Sequence, residues 1–365
     1  MKIGMILDNG YNPDVRVYKE AKYLVSKGHS VRIICWDRNQ DSSKLTYEKS
    51  EGIEIERFNI PSIYGTGKKQ LVAYLKFIKE CKKYLNQNYF DFLHCHDLTS
   101  VIVGFCARKN RTPIVFDMHE YYENTYPPQK SIKHFLIEFL IKRSYAAIYE
   151  NDVYLDDMYR GVREKLYPLK NYPDSNLIEV LKKSSDDNCF RIGYHGYVRN
   201  QVKPFTALFN AVKGMQDVRV DINGIGVDIP ILMDELDKYE NIYINGPFDG
   251  TRELSRLYQN TDVLFCGYNI DDPNMKGTAE IVKYFEAIIT GTPMIATKGL
   301  AVGDRVEQNG FGLAIDTCDS NEIRKAIMLL KDNKSVWKTF SENELKKSQE
   351  YDWNVAVKVL DEIYG

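Results

Sequence analysis

The sequence predicts two successive α/β domains, each built on a doubly wound parallel sheet. Short apolar runs alternate with segments of helical periodicity from residue 2 onward, and the same alternation starts again near residue 190. Such alternation is typical of βαβ units, whose helices cover both faces of a mostly parallel sheet. A chain of 365 residues is also long enough for two domains, each with its own core.

The first half supplies the elements of one such domain. Its predicted strands cover residues 2–8, 30–36, 53–60, 91–96 and 113–119. Its predicted helices cover residues 14–28 and 68–86, while the apolar segment 131–143 reads as an ordinary packed helix. The glycine that ends the first helix, Gly28, is typical of a helix C-terminus.

The second half repeats the pattern. Its predicted strands cover residues 190–196, 218–224, 242–248, 263–268, 293–297 and 312–316. Its predicted helices cover residues 203–214, 229–237, 251–259, 280–290 and 351–365. We predict domains over residues 1–172 and 173–348, with a C-terminal helix over 349–365 that crosses back to the first domain. Tyr172 precedes Pro173 and is therefore disfavoured in a helix, which places the hinge there.

The composition and charge of the chain exclude some classes of function. The net charge of −2 argues against a protein that binds nucleic acid by neutralising many phosphates. Seven scattered cysteines without a CxxC pair favour a reducing compartment, with the cytoplasm as the expected location. No stretch approaches the roughly 20 apolar residues that a membrane span requires.

Three stretches carry a resemblance to a known family. Residues 14–31, DVRVYKEAKYLVSKGHSV, come first, and residues 113–124, PIVFDMHEYYEN, follow with PLKNYPD at 168–174. Residues 195–203, HGYVRNQVK, and 280–297, EIVKYFEAIITGTPMIAT, complete the series. In this order they resemble family 4 glycosyltransferases of the GT-B fold over nearly the whole chain. The resemblance implies two Rossmann-like domains facing a deep interdomain cleft, with a nucleotide sugar as donor.

The glycine-rich turn after residue 195 is the first candidate donor segment. Gly196 lets a ligand approach the backbone, Arg199 can clamp a phosphate, and Lys203 falls where the family binds the diphosphate. Tyr197 departs from the family, in which an arginine often follows the glycine. The alternative interpretation is a solvated turn with two exposed charges.

The helix predicted over residues 280–290 is the second candidate. The resemblance implies that Glu286 accepts the ribose hydroxyls and that Lys283, one turn earlier, reaches the diphosphate; the alternative is an ordinary i, i+3 surface pair. Gly277 and Thr278 lie in the preceding loop, where many relatives place a glutamate at the position of Thr278. Phe248 resembles the position that recognises the base, although a packed core phenylalanine fits as well.

The first domain contributes the remaining candidates. His119 resembles the histidine that contacts the donor sugar, and Glu120 is a candidate for acceptor binding or acid and base help. A structural histidine at a strand end is the alternative.

Gly10 can approach the reacting centre, and Arg16 can contact an anionic acceptor or phosphate. We interpret His96 and Asp97 as acceptor-binding residues at the cleft edge. His94 and His96 point the same way on a strand, but the sequence shows no further ligands, so we expect no metal site.

A lysine-rich helix completes the candidates. Leu71, Leu75, Ile78 and Leu85 have helical spacing in residues 68–85, and a second face carries Lys69, Lys76, Lys79 and Lys83. That face fits either an anionic membrane surface or plain solvent.

The resemblance implies a retaining hexosyltransferase that needs neither metal nor cofactor, and that acts on a polysaccharide, glycolipid or other glycan acceptor. A UDP-sugar is favoured as donor, with GDP-mannose as the second choice. The enzyme would be cytoplasmic or peripheral on the inner face of the plasma membrane. Two alternatives stay open: a nucleotide-sugar epimerase of the same fold, and a non-catalytic subunit that binds sugar nucleotides or glycans.

Overall fold

The computed structural model describes residues 1–11, 14–39, 45–63, 68–119, 122, 131–150, 152–176, 178, 189–250, 252–272, 275 and 281–365. Contacts between residues divide the chain into two compact units. Unit 1 comprises Met1–Lys170 and Val357–Gly365, and unit 2 comprises Asn171–Ala356. The domain limits drawn from the sequence, at residues 172 and 348, stay a prediction.

Unit 1 is built on a single sheet. Its strands are β1 (Lys2–Leu7), β2 (Ser30–Asp37), β3 (Tyr47–Ser50), β4 (Ile53–Asn59), β5 (Phe92–His96), β6 (Ile114–Met118), β7 (Ala146–Tyr149) and β8 (Leu166–Pro168). Their order is β3-β4-β2-β1-β5-β6-β7-β8, and only the edge pair β3 and β4 is antiparallel among the described strands. The chain winds outward in both directions from β1 and β5, which is the doubly wound arrangement that the alternation predicts.

Four longer helices cover this sheet in the described part of the unit. They are α1 (Val15–Ser26), α2 (Lys68–Gln87), α3 (Asp97–Ala107) and α4 (Ile132–Arg143). Helices α2, α3 and α4 bury side chains in one shared apolar core, to which Phe77, Val101 and Ile137 belong. Because all three helices pack on this core, they form one layer on the same face of the sheet.

Unit 2 repeats the architecture with a parallel sheet. Its strands are β9 (Phe190–His195), β10 (Val218–Asn223), β11 (Ile242–Gly246), β12 (Val263–Cys266), β13 (Met294–Thr297) and β14 (Gly312–Ile315). The order β11-β10-β9-β12-β13-β14 reverses direction between β9 and β12. The carboxyl ends of the strands at such a reversal are where open α/β sheets bind ligands.

The helices of unit 2 follow its strands. They are α5 (Val202–Val212), α6 (Ile229–Met233), α7 (Leu254–Gln259), α8 (Val282–Thr290), α9 (Ala301–Asn309), α10 (Ser320–Asp332), α11 (Lys334–Lys347) and α12 (Trp353–Ala356). Gly291 ends α8 in the left-handed conformation, with φ of 61°, as the Gly-Thr-Pro sequence predicts. Two buried clusters, one around Phe205 and one around Tyr284, form the apolar core.

The C-terminal segment differs from the single helix predicted over residues 351–365. It forms α12 and a second short helix, α13 (Val359–Tyr364). Trp353 is buried in unit 2, where its amide donates to the carbonyl of Pro173 at 3.0 Å. Tyr364 is buried in unit 1, where its hydroxyl lies 2.9 Å from Nδ1 of His94. Each short helix thus packs in a different unit.

The lysine-rich helix α2 also differs in detail from its predicted pattern. Its buried stripe is Ala73, Phe77, Cys81 and Leu85. Leu71 and Leu75, which the spacing places on the apolar face with Ile78 and Leu85, are each 56% exposed beside the exposed lysines. Among the described helices, none is both long enough and apolar enough to cross a membrane.

Candidate functional site

The carboxyl ends of β9, β10 and β11 carry glycines that bring backbone segments unusually close. Gly196 follows β9 with φ of 141°, a region that favours glycine. A Cβ at Gly224 would lie 1.8 Å from the carbonyl oxygen of Gly196, and one at Gly226 would lie 2.0 Å from that of Val198. No residue with a side chain fits at Gly224 or Gly226, so these glycines shape the edge next to the strand reversal.

Helix α8 presents two charged side chains to the interior of unit 2. Lys283 is 9% exposed and Glu286 is 8% exposed, although both lie on a helix with ample apolar residues. A core helix with leucine at these positions would avoid the cost of desolvating two charges. The interpretation of the two residues as a solvated surface pair is therefore wrong.

The Lys283 ammonium lies against aromatic rings and the glycine turn. Its Nζ is 3.9 Å from the centroid of the Tyr194 ring and 5.6 Å from that of Tyr268. The same Nζ lies 3.1 Å from the place that a Cβ of Gly196 would occupy. Among the described residues, no carboxylate forms an ion pair with Lys283. A buried cation held only by aromatic faces is well placed to bind an anion at the glycine turn.

The Glu286 carboxylate is oriented by a tyrosine. Tyr258 donates from its hydroxyl to Oε2 of Glu286 at 2.9 Å, and this hydroxyl also lies 3.3 Å from the carbonyl oxygen of Lys283. Burial and the neighbouring Glu286 raise the pKa of Tyr258 well above its usual range. The phenol thus stays a donor at physiological pH and fixes the rotamer of the carboxylate.

His195 completes the buried polar layer under the glycine turn. Burial, followed by the charge of Lys283, lowers the pKa of His195 to about 3, so the ring is neutral. Its Nε2 lies 3.1 Å from the Thr261 hydroxyl, and Nδ1 lies 3.2 Å from the Asn223 amide nitrogen. These partners assign the proton to Nε2, because the Asn223 amide donates to Nδ1. The Phe248 ring lies edge-on to His195, with centroids 6.4 Å apart.

The loop between Gly196 and α5 is held by the Gln201 side chain. Tyr194 donates from its hydroxyl to Oε1 of Gln201 at 2.8 Å, and Nε2 of Gln201 donates to the carbonyl of Gly267 at 2.8 Å. Arg199 and Lys203, the two predicted phosphate contacts, are both exposed beside this loop. Lys203 lies on the first turn of α5, where a helix N-terminus also favours an anion.

A second polar cluster lies in unit 1, around the carboxyl ends of β5 and β6. Arg16 is 4% exposed, and its guanidinium contacts Oδ1 of Asp117 at 2.8 Å. It also approaches Oε1 of Glu20 at 3.1 Å and donates to the carbonyl of Leu169 at 3.1 Å. Burial alone would lower the pKa of Arg16, but these carboxylates hold it above its usual range. Arg16 is thus held in an internal ion pair, and its predicted contact with acceptor or phosphate stays a prediction.

His119 lies at the edge of this cluster and is partly exposed. Its Nε2 is 3.0 Å from Oδ2 of Asp117 and 3.0 Å from Nδ1 of His96. Burial disfavours its charge, but Asp117 and then Asp97 outweigh this effect and raise the pKa of His119 to about 9. His119 is therefore an imidazolium at neutral pH, and its Nδ1 lies 3.6 Å from Oδ2 of Asp97.

The two strand histidines are fully buried and neutral. The His94 and His96 rings stack with centroids 4.5 Å apart. Burial lowers the pKa of both, that of His96 to about 3. Burial and then the charge of Asp117 raise the pKa of Glu20 well above its usual range.

Glu20, His94, His96 and Asp117 together offer ligand atoms within 4.8 Å of one another. The expectation that the two histidines have no further ligand types nearby is wrong. Two imidazoles and two carboxyl groups are a donor set that zinc accepts. However, Arg16 and the protonated His119 already place two positive charges on Asp117. A cation would have to overcome their repulsion. The expectation that no metal binds here stays a prediction.

The remaining predicted residues of unit 1 are spread along the same strand ends. Asp97 begins α3 with φ of 70° and accepts from the Tyr122 hydroxyl at 2.7 Å. Gly10 follows β1, and its carbonyl accepts from Nε of Arg57 at 3.1 Å. The predicted residues Glu120, Gly277 and Thr278 lie outside the described residues.

Sequence reasoning missed the residues that support the candidates. Asp117 had a signal, because a lone carboxylate in the apolar strand PIVFDM must be paired when it is buried. Glu20 had a weaker one, four residues after Arg16 on the same helix. Tyr194, Tyr258 and His195 had none, since their contacts with α8 join segments that are far apart in sequence.

Comparisons with known proteins bear on the family and the fold. Residues 13–162 match a sequence model of the glycosyl transferase 4-like domain. No curated protein matches the sequence.

Three solved structures have the same fold over the whole chain. Sucrose-phosphate synthase from Thermosynechococcus elongatus is 15% identical with a TM-score of 0.73, covering 100% of this chain and 98% of its own. HepE from Anabaena, in complex with UDP-glucose, is 16% identical with a TM-score of 0.69, covering 100% and 99%. WaaG, a glycosyltransferase involved in lipopolysaccharide biosynthesis, is 12% identical with a TM-score of 0.64, covering 100% of each chain.

The chain has the GT-B fold of these glycosyltransferases, and the predicted resemblance to family 4 is confirmed.

Proposed function

We propose that the protein is a retaining glycosyltransferase, which moves a hexosyl group from a nucleotide sugar to a polysaccharide, glycolipid or other glycan acceptor. The observation that carries the proposal is Lys283, a buried ammonium without a carboxylate partner among the described residues, one helical turn from the buried Glu286. An enzyme that binds a diphosphate needs such an uncompensated cation.

The donor fits this unit in one direction. The diphosphate lies at the glycine turn beside Lys283, because that cation has no other charge to neutralise. The ribose then reaches Glu286, whose carboxylate can accept from two hydroxyls while Tyr258 holds its rotamer. We favour a UDP-sugar over GDP-mannose, since HepE binds UDP-glucose on the same fold.

The chemical step breaks the bond between the anomeric carbon and the β-phosphate oxygen. Negative charge develops on the leaving phosphate, and Lys283, with the exposed Arg199 and Lys203, neutralises it without a metal ion. The acceptor hydroxyl forms its bond on the same face of the sugar and passes its proton to the departing phosphate, so the configuration is retained. Retention follows from the family resemblance.

Unit 1 contributes the imidazolium of His119. Because Asp117 and Asp97 keep it protonated, His119 can donate a hydrogen bond to a sugar hydroxyl at neutral pH. The acceptor roles of Arg16, His96 and Asp97, the acid or base role of Glu120, and the donor roles of Gly10, Gly277 and Thr278 remain part of the proposal. Lys69, Lys76, Lys79 and Lys83 on α2 would hold the enzyme at an anionic membrane surface, on the cytoplasmic side.

Ligand-induced stabilisation tests the donor assignment. We expect UDP-sugars at about 100 times their dissociation constant to stabilise the protein by about 3 kcal/mol, and dTDP- and GDP-sugars to stabilise it less. At the same ligand concentration, Glu286→Gln should remove about half of the shift, whereas Lys325→Met, on the exposed face of α10, should leave it unchanged. If no nucleotide sugar stabilises the protein, the proposal fails.

Product analysis separates the alternatives. With donor alone, a transferase slowly releases UDP and free sugar in equal amounts. An epimerase would instead convert the sugar while it stays attached to UDP. A non-catalytic subunit would bind the donor and change nothing, which would also overturn the proposal.

A further inference from the structure

Helix α4 carries an exposed apolar stripe that the proposed donor chemistry does not use. Ile132, Phe135, Leu136 and Phe139 follow one another at spacings of three, one and three, and their exposed fractions run from 39% to 91%. This spacing places all four on one side of the helix, which we call the α4 face.

The opposite side of the same helix is already packed. His134, Ile137, Leu140 and Ile141 are buried, and the last three belong to the core that α2 and α3 share. The expectation that residues 131–143 form a packed helix is therefore confirmed for this side, while the α4 face stays exposed. A soluble surface rarely presents four large apolar side chains in a row, and such patches mark interaction sites.

The surroundings of the α4 face are basic. Lys133, Lys142 and Arg143 are exposed on the helix itself, and Arg143 lies over the Phe139 ring at 5.9 Å. Glu138 is the only acidic residue on the helix, and it is paired with Lys142 at 2.7 Å.

Further cations come from neighbouring elements. Arg108 follows α3, and after burial the charges of Arg143 and then Arg111 lower its pKa. Lys165 donates to the carbonyls of Lys142 and Ser144 at the C-terminal end of α4. The cations of α4 itself, Lys133, Lys142 and Arg143, thus outnumber its one acidic residue, and Lys165 adds a further cation at the C-terminal end of the helix.

We propose that the α4 face docks the protein on an anionic lipid bilayer, with the phenylalanines among the acyl chains and the rim cations on the lipid phosphates. An apolar stripe with a cationic rim matches both parts of such a bilayer, whereas a protein partner would need an apolar patch ringed by acidic groups. The inference rests on the proposed peripheral location. It adds to the lysines of α2 a second membrane-binding element, helix α4, which inserts its apolar side chains into the bilayer.

The lysines of α2 and the α4 face predict different effects of salt on membrane binding. Attraction between the α2 lysines and lipid phosphates is screened at high ionic strength, while burial of the phenylalanines is not. Binding that persists in part at high salt therefore reports insertion of the α4 face.

Vesicle co-sedimentation of the full chain tests the proposal. The vesicles contain phosphatidylcholine with about 30% phosphatidylglycerol, with phosphatidylcholine alone as comparison, at low salt and at about 0.5 M NaCl. We expect the wild type to bind the anionic vesicles and to retain part of this binding at high salt. The double variant Phe135→Ser with Phe139→Ser should bind about tenfold more weakly and lose all of the salt-resistant part.

A matched control is available in unit 2. Met328 and Leu329 on α10 are 44% and 42% exposed, so their double replacement by serine removes two exposed apolar side chains elsewhere. The control should bind vesicles like the wild type, and circular dichroism should show both variants folded. Equal binding by the α4 variant and the wild type, or no binding by either, overturns the proposal.

Light scattering tests the alternative that a second copy of the chain, and not a bilayer, covers the α4 face. If the wild type is a dimer that ignores vesicles, and the α4 variant is a monomer, then the face pairs two copies of the chain and the proposal is wrong. UDP binding by the α4 variant should equal that of the wild type. A protein that binds vesicles but no nucleotide sugar would refute the proposed function and leave this inference standing.

Discussion

Replacing Lys283 by methionine should separate the stability of the protein from its affinity for UDP. The substitution keeps the length and apolar stem of the side chain but removes the charge. Two opposing effects act on the free protein. The contact with the Tyr194 ring at 3.9 Å contributes about 0.5–2 kcal/mol, and this is lost. Removal of a buried, unpaired charge recovers a desolvation penalty of several kcal/mol.

The free protein should therefore keep its stability or gain about 1–2 kcal/mol, which corresponds to an unchanged or slightly higher melting temperature. The affinity for UDP should fall, because a charge-assisted hydrogen bond to the diphosphate contributes about 1.5–3 kcal/mol to binding. The dissociation constant for UDP should rise by a factor of about 10 to 150.

Differential scanning calorimetry and isothermal titration with UDP measure the two quantities. Lys325→Met is the matched control, since Lys325 is an exposed lysine on a helix of the same unit, and it should change neither. The loss of a buried interaction costs about 2 kcal/mol or more. A Lys283 variant that is destabilised by this amount and still binds UDP normally would refute the reasoning. Lys283 would then be a structural residue.

Three further predictions address the other groups. Glu286→Gln should weaken UDP binding by about tenfold but leave binding of 2′,3′-dideoxy-UDP unchanged, and equal losses for both ligands would contradict the ribose assignment. The pKa of His119 is about 9 in the folded protein and 6.5 in the unfolded chain, so its protonation stabilises the fold by about 3 kcal/mol. This stabilisation is complete below pH 6.5 and is lost as the pH rises through 9. The resulting fall in melting temperature at alkaline pH should disappear in His119→Asn. Dialysis against EDTA should leave donor hydrolysis and melting temperature unchanged, and a loss restored by zinc would show that the cluster around Asp117 binds a metal after all.

Local patterns predicted most of the fold. The runs KIGMIL and FRIGYH are strands because they alternate with helices of matching length, and both lie at the reversal points of their sheets. The strands β3, β7 and β8 escaped prediction. The run of β3, YEKS, is mostly polar and shows no apolar alternation to detect. The C-terminal segment breaks into two helices because Trp353 and Tyr364 are buried in different units, a tertiary effect that helical propensity does not report.

The site was predictable where a charge broke an apolar pattern. Lys283 and Glu286 stood out in a helix that otherwise reads as core, and the structure buries both. The supporting contacts could not be predicted, because Tyr194 and Tyr258 reach α8 from segments at least 25 residues away. The α4 face was hidden for a related reason: a helix that is apolar all round reads as buried, whether or not both sides have a partner.

The most direct test of the central claim is the fate of a UDP-hexose incubated with the protein and followed by proton NMR. We expect UDP and free hexose to appear in equal amounts, with the α-anomer released first from an α-linked donor, and neither product to form with the Lys283→Met variant. Release of the β-anomer first would contradict retention. A UDP-hexose that is bound but stays intact, or changes its sugar without releasing it, would contradict glycosyl transfer itself.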